Sequence, residues 1–277
     1  MTKVLTFLRK KPLITLIIAQ LVGVGGIKLM DPDDIFAAGV FRYILAFAMC
    51  MFLYLISEEK TFKSCEKTTG YILKYLLGII IFAGILAVLA AVVAVYQKAP
   101  LVEGWYIKII SLAFACLGVG LFEELAFRAI ICDGFIYAFR DKKWVFAVSA
   151  VLGSLFFGYV HVMGADISDS LLLTSAVTKT ISAGLWGVCL VILYWKTRNV
   201  WGCAIAHAIY DFLPLLCNTI FVMENDNIGT GYVQTGFAGK TAIVFYSLES
   251  VVLVVILIVL WKKVVKTINF DEMRSNW

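Results

Sequence analysis

The sequence predicts an all-α, polytopic membrane helical bundle of about eight transmembrane helices. Three observations carry this. Of 277 residues, 62% are hydrophobic and only 16% are charged, whereas charged residues alone make up about 25% of an ordinary soluble domain; the mean hydropathy is +0.93. Apolar runs recur at the length of about 20 residues that a helix needs to cross a hydrocarbon core. Lys and Arg are sorted onto alternate connections between those runs, which is the signature of a fixed orientation in a bilayer.

The expected spans cover about 13–30, 36–56, 73–95, 107–131, 146–163, 172–195, 200–222 and 241–261. Span one follows MTKVLTFLRKKP, a charged start of the kind signal peptides have. Its apolar run is long, however, and no small-x-small cleavage site follows, so it reads as an uncleaved anchor. Sixteen Lys and Arg residues fall on one set of loops and tails, among them Lys3, Lys60, Lys63, Arg140, Lys196, Arg198, Lys262 and Arg274. The opposite loops hold Lys98 and Lys240 with eight acidic residues, including Asp31, Asp166, Glu224 and Asp226. A multi-pass protein of the cell membrane with both termini cytoplasmic is expected. These loop residues account for the net charge of +5 as topology signals beside anionic headgroups, so a nucleic-acid partner is not implied. Seven cysteines, without a C-x-x-C pair, read as apolar packing and not as a disulfide framework or a metal site.

The informative residues are those that do not belong in lipid, because each ionised side chain at a helix centre costs about 2.5–3.5 kcal/mol on insertion scales. Inside spans lie Glu123, Glu124, Arg128, His161, Lys179, His207, Asp211 and Glu249, and the chain has no other histidine. Glu124 and Arg128 are four apart, so they share a helix face and can pair, acid before base. Glu123 is rotated by about 100° from Glu124 and is free to face a cavity, as a general base on water or as a metal ligand. Phe157 sits four residues before His161 on the same face, where its ring can restrict the imidazole. His207 and Asp211 repeat that spacing. Asp211 can orient His207, bind a metal, or hydrogen-bond a substrate carbonyl if protonated. Lys179 reads as a helix-end residue that snorkels and Glu249 as its pairing partner or a cavity wall; both are placed outside the site.

The order E-E-x-x-x-R (Glu123, Glu124, Arg128), F-x-x-x-H (Phe157, His161) and H-x-x-x-[N or D] (His207, Asp211), each on its own span, resembles the CAAX prenyl endopeptidase and bacteriocin-processing (CPBP, Abi) family of intramembrane proteases. The stretch AGLWGVCLVILYWKTRNVWGCAIAH is similar to that family's glycine-containing helix, turn and entry to the last motif. The resemblance spans about 107–223 and implies a four-helix catalytic core there, with accessory helices in 1–106 and a loop, helix eight and tail in 224–277. It implies hydrolysis of a peptide bond in a membrane-associated or leader peptide. Glu123 would activate water, His161 would help hold it, and His207 with Asp211 would stabilise the oxyanion, supported by Glu124, Arg128 and Phe157. Relatives often have asparagine at the position of Asp211. Glu123, His161 and His207 would also suit a zinc ion with one open position, but no H-E-x-x-H is present and a metal-free mechanism is expected. The partners implied are a peptide or lipidated peptide and the bilayer. The chain resembles bacterial members that process bacteriocin or signalling-peptide precursors or confer self-immunity, more than those that cleave a prenylated CAAX substrate.

A proton-coupled transporter is the competing reading of buried Glu and His residues, yet it predicts internal repeats and no second E-E-x-x-x-R-like segment occurs. A catalytically silent scaffold is a further alternative. One register problem stands. Glu123 and His161 lie about 17 residues, or ~25 Å, from the turn near 140–144, while His207 lies only ~12 Å beyond Asn199 at 1.5 Å per residue. For the groups to meet, spans four and five must project past the bilayer on the cytoplasmic side or tilt strongly.

Overall fold

A computed structural model describes residues 2–30, 32–57, 67–222, 232–233 and 235–273. The loop charges Asp31, Lys60, Lys63, Glu224, Asp226 and Arg274, and Cys65, lie outside the described residues. Eight helical rods among those described are long and apolar enough to cross a membrane. In chain order the helices are α1 (Thr2–Lys10), α2 (Pro12–Met30), α3 (Ile35–Ser57), α4 (Thr69–Tyr96), α5 (Trp105–Glu123), α6 (Asp133–Ala138), α7 (Val145–Val162), α8 (Ser170–Thr197), α9 (Val200–Ile220), α10 (Gly236–Lys263) and α11 (Phe270–Met273). The charged start of the sequence is itself helical, as α1, and Arg9 donates to the Leu55 carbonyl at 2.8 Å.

Local chemistry sets several ends. Asp34 accepts from the Ala37 amide ahead of α3 and Asp169 from the Leu172 amide at the start of α8, each at 2.8 Å, which satisfies amides that have no intrahelical acceptor. Asn199 does the same for Gly202 at the start of α9. The six described cysteines are free. The thiols of Cys132, Cys189 and Cys203 each lie against a backbone carbonyl of another helix, in keeping with a packing role.

Helix neighbours run in the order α7, α8, α10, α4, α9, α5, α3. The rod that begins as α5 does not continue as an α-helix. Over Glu124–Cys132 it widens into a π-helix before resuming as α6. This stretch touches α2, α3, α7, α8 and α9, and nearly every residue in it is buried. A π-helix shifts the hydrogen-bond ladder by one residue, and here a side chain from α2 meets it: the Gln20 amide donates to the Ala126 carbonyl at 3.2 Å.

The register problem is resolved at Asp133. One oxygen of this buried carboxylate accepts from Arg198 at 2.7 Å and from the Tyr194 hydroxyl at 2.8 Å. Glu123 lies ten residues back from Asp133 and His207 nine residues on from Arg198, and the two meet where Nε2 of His207 lies 3.6 Å from Oε2 of Glu123. The Ser149 hydroxyl likewise donates to the Cys132 carbonyl at 2.9 Å and ties α7 into the same frame. The α6 segment and the turn to α7 therefore run on past the α8–α9 turn, as the convergence of the motifs required. Arg198, counted in the sequence as a loop charge, is only 7% exposed and belongs to this clamp.

Candidate functional site

Two close helix approaches position the polar groups. A Cβ on Gly120 of α5 would lie 2.5 Å from the Ala204 carbonyl of α9, so only glycine permits this crossing. Glu123 and His207 each follow three residues after the contact, on facing helices. At Gly158 of α7 a Cβ would collide with the Thr180 carbonyl of α8, and that crossing brings Phe157 and His161 alongside α8.

His207 is the hub. Its Nδ1 meets Oε1 of Glu124 at 2.9 Å; a carboxylate oxygen accepts, so Nδ1 donates. Its Nε2 then addresses Oε2 of Glu123 at 3.6 Å and Oδ2 of Asp211 at 3.5 Å. Glu124 also takes Nε of Arg128 at 3.2 Å, both side chains being fully buried. The i,i+4 pair read from the sequence is thus present, and the same carboxylate also holds the histidine. The sequence assigned the orienting role to Asp211 alone, because that residue shares a helix with His207; the partner on Nδ1 comes from another helix and had no signal in spacing. Glu123 and Asp211 keep 15% and 28% side-chain exposure and form the open edge of the cluster.

His161 is not in direct contact with this group. Its Nδ1 lies 2.8 Å from the Phe157 carbonyl, which can only accept, so a neutral ring carries its proton there and leaves Nε2 as an acceptor. The Phe157 ring packs against both imidazoles, 4.7 Å from His161 and 6.0 Å from His207 by ring centres, and the Arg128 guanidinium lies over it at 4.5 Å. One aromatic ring therefore backs three polar groups. His161 also faces Tyr232 at 5.2 Å, and a cavity of about 300 Å³ opens beside it, bordered by Lys28, residues 162–166, Leu172, Tyr232 and Val233. This hollow lies at the end of α7 opposite the Arg140 turn.

Among the described residues no group of three or more His, Cys, Asp or Glu donors is arranged to hold a metal ion. Glu123, His161 and His207, the alternative zinc set, do not form such a group, and Phe157 packs against both imidazole rings. Lys179 and Glu249, both left out of the site by the sequence, border it. Lys179 does not snorkel to a helix end; its Nζ lies over the rings of Tyr232 at 4.2 Å and Tyr246 at 5.0 Å. The Glu249 carboxylate, 2% exposed, accepts from the hydroxyls of Ser182 and Tyr210. Trp186 packs against both His207 and Tyr210 and joins the two groups.

Residues 104–213 match the family model described as type II CAAX prenyl endopeptidase Rce1-like, the family that the three motifs resemble. All of the motif residues fall within this segment. Comparison with curated proteins and with solved structures returns no match.

Proposed function

Taking the endopeptidase match over 104–213 as its premise, we propose that the chain is an intramembrane endopeptidase that cleaves a peptide or lipidated peptide with a glutamate-activated water, its catalytic unit lying within 107–223. The observation that carries the reading is the meeting of Glu123, His207 and Asp211 within 3.6 Å inside a bundle of apolar rods. Hydrolysis in such a place needs a base for water and a donor for the oxyanion. Glu123 takes a proton from a water that the acceptor nitrogen of His161 helps to hold. The hydroxide adds to the scissile carbonyl, and His207, carried as the doubly protonated imidazolium among the carboxyl groups of Glu123, Glu124 and Asp211, donates from Nε2 to the oxygen that becomes negative. Collapse of the tetrahedral adduct returns the proton from Glu123 to the departing amine. Glu124 and Arg128 fix the imidazole edge that does this, and Asp211 flanks it. The lysine bias of the loops supports cytoplasmic termini, and precursor or leader peptides of bacterial origin fit the reading better than a prenylated CAAX tail.

The test is cleavage of candidate leader and lipidated peptides by the purified full-length protein. Glu123→Gln and His161→Ala should each lower the rate by roughly 10²–10⁴, the range for loss of a general acid–base group, with the unfolding temperature retained. Cleavage that persists in Glu123→Gln would defeat the proposal, and solute uptake into liposomes that survives the same substitution would favour a transporter.

A further inference from the structure

Glu249 is a buried acid that the proposed chemistry does not use. It sits on α10, beyond the segment that matches the endopeptidase family, and is closed off from the surface. Its two oxygens serve different helices: one accepts from the Tyr210 hydroxyl on α9 and the other from the Ser182 hydroxyl on α8. In the order of helix neighbours α8 and α9 do not follow one another, and this carboxyl group bridges them.

Each helix held in this way carries part of the surroundings of His207 within a turn of the bond. Trp186 follows Ser182 by four residues, and Tyr210 follows His207 by three, spacings that share a helix face. The Trp186 ring packs on Tyr210 at 4.9 Å and 35°, and it meets the His207 ring nearly edge-on at 5.8 Å and 81°. Its Nε1 is buried with no hydrogen-bond partner among the described residues, so packing seats the indole. The imidazole is bonded at Nδ1 to Glu124 and is confined by its contacts with Phe157 and Trp186. A displaced Trp186 would therefore reach it directly.

We propose that Glu249 is a positioning residue for His207: by holding Tyr210 and Ser182 it fixes Trp186 against the imidazole and so aims Nε2. Buried polar networks in which each member is paired make side chains rigid in this way, and a small misplacement of a reacting group is costly. The proposal rests on the endopeptidase reading only in taking Nε2 of His207 as the edge that meets the substrate. It gives α10, which lies outside the family match, a part in the site.

His161 and His207 are the two histidines of the chain, so histidine-labelled full-length protein in detergent has two imidazole signals to follow by NMR, assigned with His161→Ala. Glu249→Leu removes both bonds and should shift the His207 signal while leaving that of His161 near its wild-type position. Glu249→Gln removes the charge but keeps the bonds, because its amide oxygen accepts from Tyr210 and its amide nitrogen donates to the Ser182 hydroxyl; it should bring the His207 signal most of the way back. In the cleavage assay Glu249→Leu should lower kcat about tenfold with KM unchanged, and Glu249→Gln should recover most of the rate. An unmoved His207 signal in Glu249→Leu, equal movement of both histidines, or a Gln variant that behaves like the Leu variant would overturn the proposal. Should Glu249→Leu fail to fold, Tyr210→Phe takes its place: a shifted His207 signal supports the proposal and an unmoved one overturns it. If the wild-type chain cleaves nothing, the endopeptidase reading fails, while the two signals still decide the positioning.

Discussion

Oε1 of Glu124 and Nδ1 of His207 meet at 2.9 Å across 83 positions of sequence, and the other oxygen of that carboxylate holds Arg128, which has no exposure. Glu124→Gln keeps the side-chain shape and removes the charge, so the buried guanidinium loses its counter-ion. Removing one partner of a buried pair costs about 3–5 kcal/mol, which a thermal-unfolding measurement should register as a large drop. Adding Arg128→Met should recover part of the stability but not cleavage, because the imidazole still lacks a charged carboxylate at Nδ1. Full stability in Glu124→Gln would contradict the brace.

The α5–α9 crossing should tolerate no added carbon. Gly120→Ala places a methyl group against the Ala204 carbonyl, and overpacking of this kind costs about 1–3 kcal/mol. Cleavage should fall further than stability alone explains, since the helices that carry Glu123 and His207 are pushed apart. Gly84→Ala on α4, where a Cβ meets nothing within 4 Å, is the control and should leave both measurements unchanged.

The clamp at Asp133 should rank its donors by charge. Arg198→Ala leaves a buried carboxylate without its ion-pair partner and should cost about 3 kcal/mol, whereas Tyr194→Phe removes a neutral hydrogen bond and should cost about 1 kcal/mol. Unfolding of the two variants in parallel checks the order. Arg198→Ala should also slow cleavage, although it lies some ~14 Å from His207 along the helix, because it sets the register of α9 against the π-helical rod. The reverse ranking would argue against a charge-based clamp.

Chelation should leave cleavage intact. The His207 ring uses Nδ1 on Glu124, the His161 ring uses Nδ1 on the Phe157 carbonyl, and Phe157 packs against both rings. Purified protein should carry no stoichiometric zinc by elemental analysis. Activity lost with a chelator and regained with zinc would show that the site rearranges to bind a metal.

What could be read from the sequence divides along a physical line. The spans were legible because length and apolarity follow directly from bilayer thickness, and the Glu124–Arg128 face because i,i+4 geometry is local. The π-helix at Glu124–Cys132 was not, since neither proline nor glycine marks it and its support comes from Gln20 on another helix. The bond from Glu124 to His207 and the seating of Lys179 on Tyr232 and Tyr246 depend on how helices are stacked, which spacing within one helix does not encode. The register conflict, by contrast, was a sequence-level clue with real content: spans four and seven do meet at Glu123 and His207, with Asp133 bonded to Arg198 further along.

That clamp also sets the two ends of the molecule apart. A carboxylate tied to a guanidinium and a phenol packs the basic end beyond Glu123, whereas the hollow next to His161 lies at the opposite end of α7. Among the described residues, the open space beside the cluster therefore sits on the side remote from the lysine-rich loops.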